Sequence, residues 1–241
     1  MVGHMRTFEL VADSLLNNVI RANSEHTFDV YVHTWKCLGY SRTQATDTKA
    51  EIHQKLIQKF GMSYHHDTSS GDIDVDKIKS VLSPREMVVE TDEDLQREVY
   101  DKLSTPRDSQ SFYPNTYAQF RKLYLCHKLM QDSGIAYDIV VKIRPDVNYT
   151  APMIFSEMPS QSLILHDSYV NDHVYYGPPD TMEILANMFT GLDPSSRMDP
   201  HQILCQTIRS NNILYFKRRL DIELMRQDGK SYAFNLGTSS I

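Results

Sequence analysis

The chain has 241 residues, an apolar fraction of 41%, 10 prolines and a formal charge of −6. These values describe a single globular domain that buries a core without staples, and they exclude a low-complexity or disulfide-framework protein. No basic tract is present, so neither a nucleic acid nor an anionic membrane surface is indicated as a partner. No apolar run approaches the roughly 18 residues that span a bilayer, and the opening MVGHMRTFEL lacks the apolar stretch of a secretory signal. Cys37, Cys126 and Cys205 lie far apart and form no CxxC pair, which reads as reduced core thiols in a cytoplasmic compartment.

In chain order, Met1-Val2 reads as a strand end, expected to be very short or to begin upstream of this sequence. Gly3-His4 follows, then a helix with Phe8, Val11, Leu15, Val19 and Ala22 at helical spacing. In FDVYVHTW, Phe28, Val30 and Val32 alternate with Asp29, Tyr31 and His33, the pattern of a strand. Strand–helix–strand opens a parallel α/β sheet. Residues 36–80 are polar, with a candidate helix at 49–60 and a loop at HHDTSSGD. REMVVE at 85–90 is a short strand, and 91–112 is a charged excursion that reads as an acceptor lid or a disordered loop. Residues 115–132 form the clearest helix, with Phe120, Leu123, Tyr124, His127 and Met130 on one face and Gly134 as its stop.

YDIVVKIRPDVNY at 137–149 is an apolar strand that ends on Arg144-Pro145-Asp146. SLILHD and HVYYG are two further strands. PPDTMEILANMF is a helix with proline in its first turn, and DPHQILCQTIRSN is another, with Asp199 as N-cap and Pro200 at its first position. ILYFKRR and DIELMRQ are the last strand-like pieces. The reading is one α/β domain over 1–241, a mostly parallel central sheet flanked by helices, with a nucleotide-binding half at 1–150 and a more irregular half at 151–241.

Three strand ends carry chemistry-bearing residues, and in open α/β sheets the ligand crevice lies at the carboxyl ends of the strands. Gly3-His4-Met5-Arg6-Thr7 could bring backbone and a guanidinium to a phosphate, or be a plain strand-to-helix turn. His33-Thr34-Trp35 holds the only tryptophan, which could stack on a base or sugar or be core. Arg144-Pro145-Asp146 offers a hard oxygen ligand for a cation beside a diphosphate, or a structural ion pair. Asp172-His173 opens a strand and Asp199-Pro200-His201 opens a helix, and both can be simple caps. Asp72-Ile73-Asp74-Val75-Asp76 looks like the start of a calcium loop. It fails as one, because Lys77 stands where the turn glycine belongs and Ser83 where the bidentate glutamate belongs, so it reads as an acidic helix cap. His65-His66 reads as a solvated pair and His127 as a core histidine.

The ordered set GHMRTF, FDVYVHTW, YDIVVKIRPD and Asn171-Asp172 through Gly177 resembles a family of nucleotide-sugar glycosyltransferases of bacteria, algae and large viruses, with the pattern GHxRTF, DxFxHTW, YDxVxxxRPD, DxxxxG. The resemblance implies a GT-A fold, Rossmann-like in its nucleotide-binding half. It implies a nucleotide-diphosphate sugar as donor, with UDP favoured, and a glycan hydroxyl as acceptor. Gly3, His4, Arg6, Thr7, His33, Thr34, Trp35 and Arg144 would bind the donor. The metal-binding DxD of that fold is replaced here by Arg144-Pro145-Asp146. Either Asp146 ligates Mn²⁺ or Mg²⁺, or Arg144 takes over part of the cation's charge neutralisation. An inverting enzyme of this type needs a carboxylate general base in the second half, for which Asp199 is placed first, Asp172 second and His201 third. The competing readings are a non-catalytic nucleotide- or glycan-binding module of the same fold, and a nucleotidyltransferase. The latter lacks its glycine-rich phosphate loop.

Overall fold

The computed structural model describes residues 1–38, 71–91, 95, 114–155, 162–166, 172–192, 200–225 and 231–233. Strand β1 is Val2–Gly3 and helix α1 is Phe8–Leu15, which runs on through a π-helical turn at Leu16–Ile20 and a 3₁₀ turn at Arg21–Asn23. Strand β2 is Tyr31–Trp35, helix α2 is Val75–Leu82 and strand β3 is Glu86–Glu90. β1, β2 and β3 pair in that order, all parallel, with Gly3 opposite Thr34 and Trp35 opposite Glu90. The expected strand–helix–strand opening is therefore present. The acidic segment before α2 is a cap, with Asp74 accepting from the Lys77 amide at 2.9 Å.

Helix α3 spans Pro114–Asp132, and strand β4, Val140–Ile143, follows it. After β4 come β5 (Val147–Tyr149), β6 (Leu163–His166) and β7 (Val174–Gly177). Helix α4 is Pro179–Ala186, with a 3₁₀ extension Asn187–Gly191, and helix α5 is Pro200–Ser210. β8 (Tyr215–Arg218), β9 (Ile222–Met225) and β10 (Ser231–Ala233) complete the described elements.

A second sheet has the order β4-β7-β6-β8, and a small third sheet the order β10-β9-β5. The α/β class is as expected. Antiparallel pairing is more extensive than expected: in the second sheet only β6 and β8 run parallel, and the third sheet is antiparallel throughout. For the β6–β7 pair, the length of the connection explains this. A parallel neighbour needs a crossover of a dozen or more residues, and the segment joining His166 to Val174 is shorter than that.

Alternation along the second sheet separates two apolar layers. Val141, Ile143, Ile164, Val174 and Tyr176 face one layer, with Phe8, Leu15 and Val19 of α1 and Ile78 and Leu82 of α2. Val140, Leu163, Leu165 and Tyr175 face the other, with Phe120 and Leu123 of α3, Leu185 of α4, and Ile203 and Leu204 of α5. Each such side chain, taken fully out of water, stabilises the fold by about 1.5–3 kcal/mol. Polar stitches fix α1 against the segment after β5. Asn18 donates to the Tyr149 carbonyl at 2.6 Å, and Asn23 donates to Met153 and accepts from the Phe155 amide.

A cavity of about 490 Å³ opens where β2 and β4 begin, lined among others by Met1, Asp29, Tyr31, Tyr137 and residues 139–143. None of the expected site residues lines it. No helix among the described residues is long and apolar enough to cross a membrane.

Candidate functional site

The site lies at the carboxyl ends of β1 and β4. Gly3 has a φ of +129°, and a Cβ there would stand 3.2 Å from Cδ of Pro145. Any other residue would be strained by its backbone and would push the proline ring away. This close contact lays the turn after β1 on the turn after β4. Thr34 fixes it from behind by donating to the Gly3 carbonyl at 2.8 Å.

Arg144 and Asp146 form a two-pronged pair across the proline turn. The Arg144 Nε donates to one carboxylate oxygen at 2.9 Å and Nη2 to the other at 2.7 Å. Arg6, arriving from the turn after β1, brings Nη2 to 3.6 Å from the same carboxylate. Burial pushes the Asp146 carboxyl up, but the Arg144 guanidinium, its hydrogen bonds and Arg6 outweigh burial and hold it down at about 2. Asp146 is therefore ionised and fully engaged.

Asp172, just before β7, is the second buried carboxylate. The Gln119 amide of α3 donates to it, Arg144 Nη1 stands 3.8 Å away, and His201 Nδ1 on the first turn of α5 stands 3.8 Å from its other oxygen. Burial pushes this carboxyl up as well, and Lys142, Arg144, His173 and His201 together bring it well below the usual carboxylate range. The His173 and His201 rings lie 6.4 Å apart. Burial and the neighbouring Arg144 push the His173 imidazole down to about 3, so it is neutral at physiological pH.

Among the expected residues, the structure thus brings together Gly3, His4, Arg6, Arg144, Asp146, Asp172 and His201. Thr7 is turned to β9, its hydroxyl donating to the Met225 carbonyl at 3.4 Å. His33, Thr34 and Trp35 are buried one layer further back. Trp35 reaches the site through His4, whose ring is stacked on it with centroids 6.0 Å apart. Lys122 of α3 sits 3.5 Å above the indole, 3.2 Å from His33 Nδ1, 3.0 Å from the Thr34 carbonyl and 2.9 Å from a Glu90 oxygen. Arg121 closes the group by donating to both Glu90 oxygens at 2.8 and 2.7 Å. Burial and Lys122 push the His33 imidazole down to about 3. Asp199 lies outside the described residues, as do His65-His66, Asn171, the candidate helix at 49–60 and most of the excursion at 91–112.

Sequence reading did not single out Lys142 or Gln119, and it took His173 only as part of a possible cap with Asp172. Lys142 lies in β4 two residues before Arg144, is 4% exposed, and has no hydrogen-bond partner for its ammonium among the described residues. Its nitrogen stands 5.2 Å from the Tyr175 ring centroid. Burial pushes it down to about 8, against the pull of Asp172 and Asp146. The available signal was a lone lysine inside an apolar strand that is covered on both faces.

Among the described residues, the donor set does not fit a divalent cation. Both oxygens of Asp146 accept from Arg144, and both oxygens of Asp172 face nitrogen donors. Among the described residues no group of three or more His, Cys, Asp or Glu side chains is placed to hold a metal ion.

No family model matches the chain, and no curated protein matches its sequence. Among solved structures, the apo form of mouse xyloside xylosyltransferase 1 superposes with a TM-score of 0.37 at 8% identity, over 79% of this chain and 85% of that chain. A likeness so loose says nothing about what this chain binds or transfers.

Proposed function

We propose that the crevice binds the diphosphate of a nucleotide-sugar, with UDP favoured, and transfers the sugar to a glycan hydroxyl. The observation that carries this reading is the meeting of Arg6 and Arg144 at the carboxyl ends of β1 and β4, where a glycine lets two backbone turns touch. That is the place and the chemistry for an anionic group in an open α/β sheet. In the transfer, the bond from the anomeric carbon to the diphosphate oxygen breaks and its electron pair leaves with the nucleoside diphosphate. The anomeric carbon bonds to the acceptor oxygen, and the acceptor proton passes to a base. Fixed guanidinium groups stabilise the charge that develops on the leaving oxygen.

The base belongs to the second half. Asp172, held by Gln119 and Arg144 with its proton affinity depressed, is a poor acceptor of a proton. Its role is to orient the imidazole of His201, whose Nδ1 it faces at 3.8 Å. His201 and the neighbouring Asp199 are the proton acceptors in this reading, with inversion at the anomeric carbon.

The test is release of nucleoside diphosphate from UDP-, GDP- and dTDP-sugars with glycan acceptors, alongside thermal shift with each donor. One donor should raise the melting temperature and be turned over, and Arg6→Gln should lower turnover roughly a hundredfold. Binding without turnover would favour the second reading, a nucleotide- or glycan-binding module. The engagement of both Asp146 oxygens by Arg144 supports that alternative. Absence of any binding would overturn both.

A further inference from the structure

Among the described residues, Lys142 is a buried charged group of the site whose ammonium has no hydrogen-bond partner. A buried ammonium without a hydrogen-bond partner is costly, and the usual remedies are a direct ion pair or loss of the charge. Here the two nearby carboxylates are already committed. Asp146 is clamped by Arg144, and Asp172 is held by Gln119 with Arg144 and His201 beside it. Among the described residues, Lys142 stands near enough to Asp172, Arg144 and Asp146 for their charges to act on it, yet its ammonium hydrogen-bonds to none of them. Lys142 lies in β4 and Arg144 directly follows the last residue of that strand, so both stand at its carboxyl end.

We infer that Lys142 completes a fixed set of three cations with Arg6 and Arg144 that neutralises a diphosphate, so that the site works without a divalent metal. The inference rests on the diphosphate reading given above and names the groups that carry it out. It also accounts for Arg144 standing where an acidic metal ligand is expected. A guanidinium at that position clamps Asp146 and turns a cation-binding corner into an anion-binding one.

Calorimetry on the full chain tests this with inorganic pyrophosphate and, separately, UDP, each in EDTA and in excess Mn²⁺. Pyrophosphate should bind in EDTA, with Mn²⁺ changing the affinity by less than about threefold, and Lys142→Met should weaken it by roughly tenfold or more. The ligand-free Met variant should melt no lower than the parent, which separates lost binding from lost folding. If it fails to fold, Lys142→Gln serves in its place, and Lys142→Arg should keep binding close to the parent. Dependence on Mn²⁺, unchanged binding in the Met variant, or no pyrophosphate binding at all would each overturn the inference. Pyrophosphate binding with no response to UDP, GDP or dTDP would instead leave the cation set standing and remove the nucleotide reading.

Discussion

Two buried clusters of charge flank Trp35, and they are built to different ends. Around Glu90, every group has a partner. Lys122 reaches His33, the Thr34 carbonyl and Glu90, and Arg121 takes both Glu90 oxygens. Around Asp172, the carboxylates are saturated while the Lys142 ammonium is left over. The first cluster is closed and ties α3 to β2 and β3. The second leaves the Lys142 ammonium without a hydrogen-bond partner among the described residues. A closed buried network rigidifies a fold, whereas a partly satisfied one costs stability.

The comparison is most strongly tested by removing the anion from the closed cluster. Glu90→Gln leaves Lys122 buried beside a neutral histidine and should destabilise the protein by about 3–5 kcal/mol in urea unfolding. The opposite sign is expected for the open cluster. Lys142→Met removes an ammonium that folding pushes from 10.5 to about 8, and should stabilise the ligand-free protein at pH 7 by about 3 kcal/mol. In the parent, the unfolded chain holds that proton and the folded chain loses it between pH 8 and 10.5. This group's contribution to stability should therefore rise through that window, and the advantage of the Met variant should shrink.

A smaller effect is expected at the contact between the two turns. Gly3→Ala combines a left-handed φ with a Cβ against Pro145, and should cost about 1–3 kcal/mol and weaken pyrophosphate binding together with stability. A last effect, which grows only as the pH falls, is shared by both clusters. His33 and His173 are held near 3 in the folded state and return to 6.5 on unfolding, so the unfolded chain takes up their protons first. Stability should fall as pH drops below 6.5, by about 1.4 kcal/mol per pH unit for each histidine, and His33→Gln should make that fall shallower.

How much of this was legible depended on period and reach. The parallel opening, the α3 helix and the strands at 163–166 and 174–177 follow from alternation and helical spacing, because one-sided burial writes a regular pattern. β5 and β10, of three residues each, are too short to write one. At the site, the ordered strand-end motifs pointed to Arg6, Arg144, Asp146 and Asp172, whose charged groups the fold brings within 4 Å of one another in the pairs Arg6–Asp146, Arg144–Asp146 and Arg144–Asp172. What they could not carry was the state of those groups. Asp146 looked available from its spacing, yet a guanidinium two residues away across a proline turn occupies both its oxygens. His33 and Trp35 lay at a strand end as expected, and a lysine from a distant helix covers them. Lys142 was passed over because a lysine in a strand is usually solvated, and only tertiary packing shows that both faces of β4 are covered.

The meeting of Gly3 with Pro145 also bears on how the chain reaches its native state. Arg6, Gln119, Lys142, Asp172 and His201 come from parts of the chain separated by most of its length, so the crevice closes only after several long loops have closed. The entropy of that closure must be met before the ionic contacts reward it, which places assembly of the crevice late in folding, after the locally encoded helices. No fragment from one half of the chain would hold the proposed anion site, and the pyrophosphate binding expected of it would appear as the final phase of a refolding experiment.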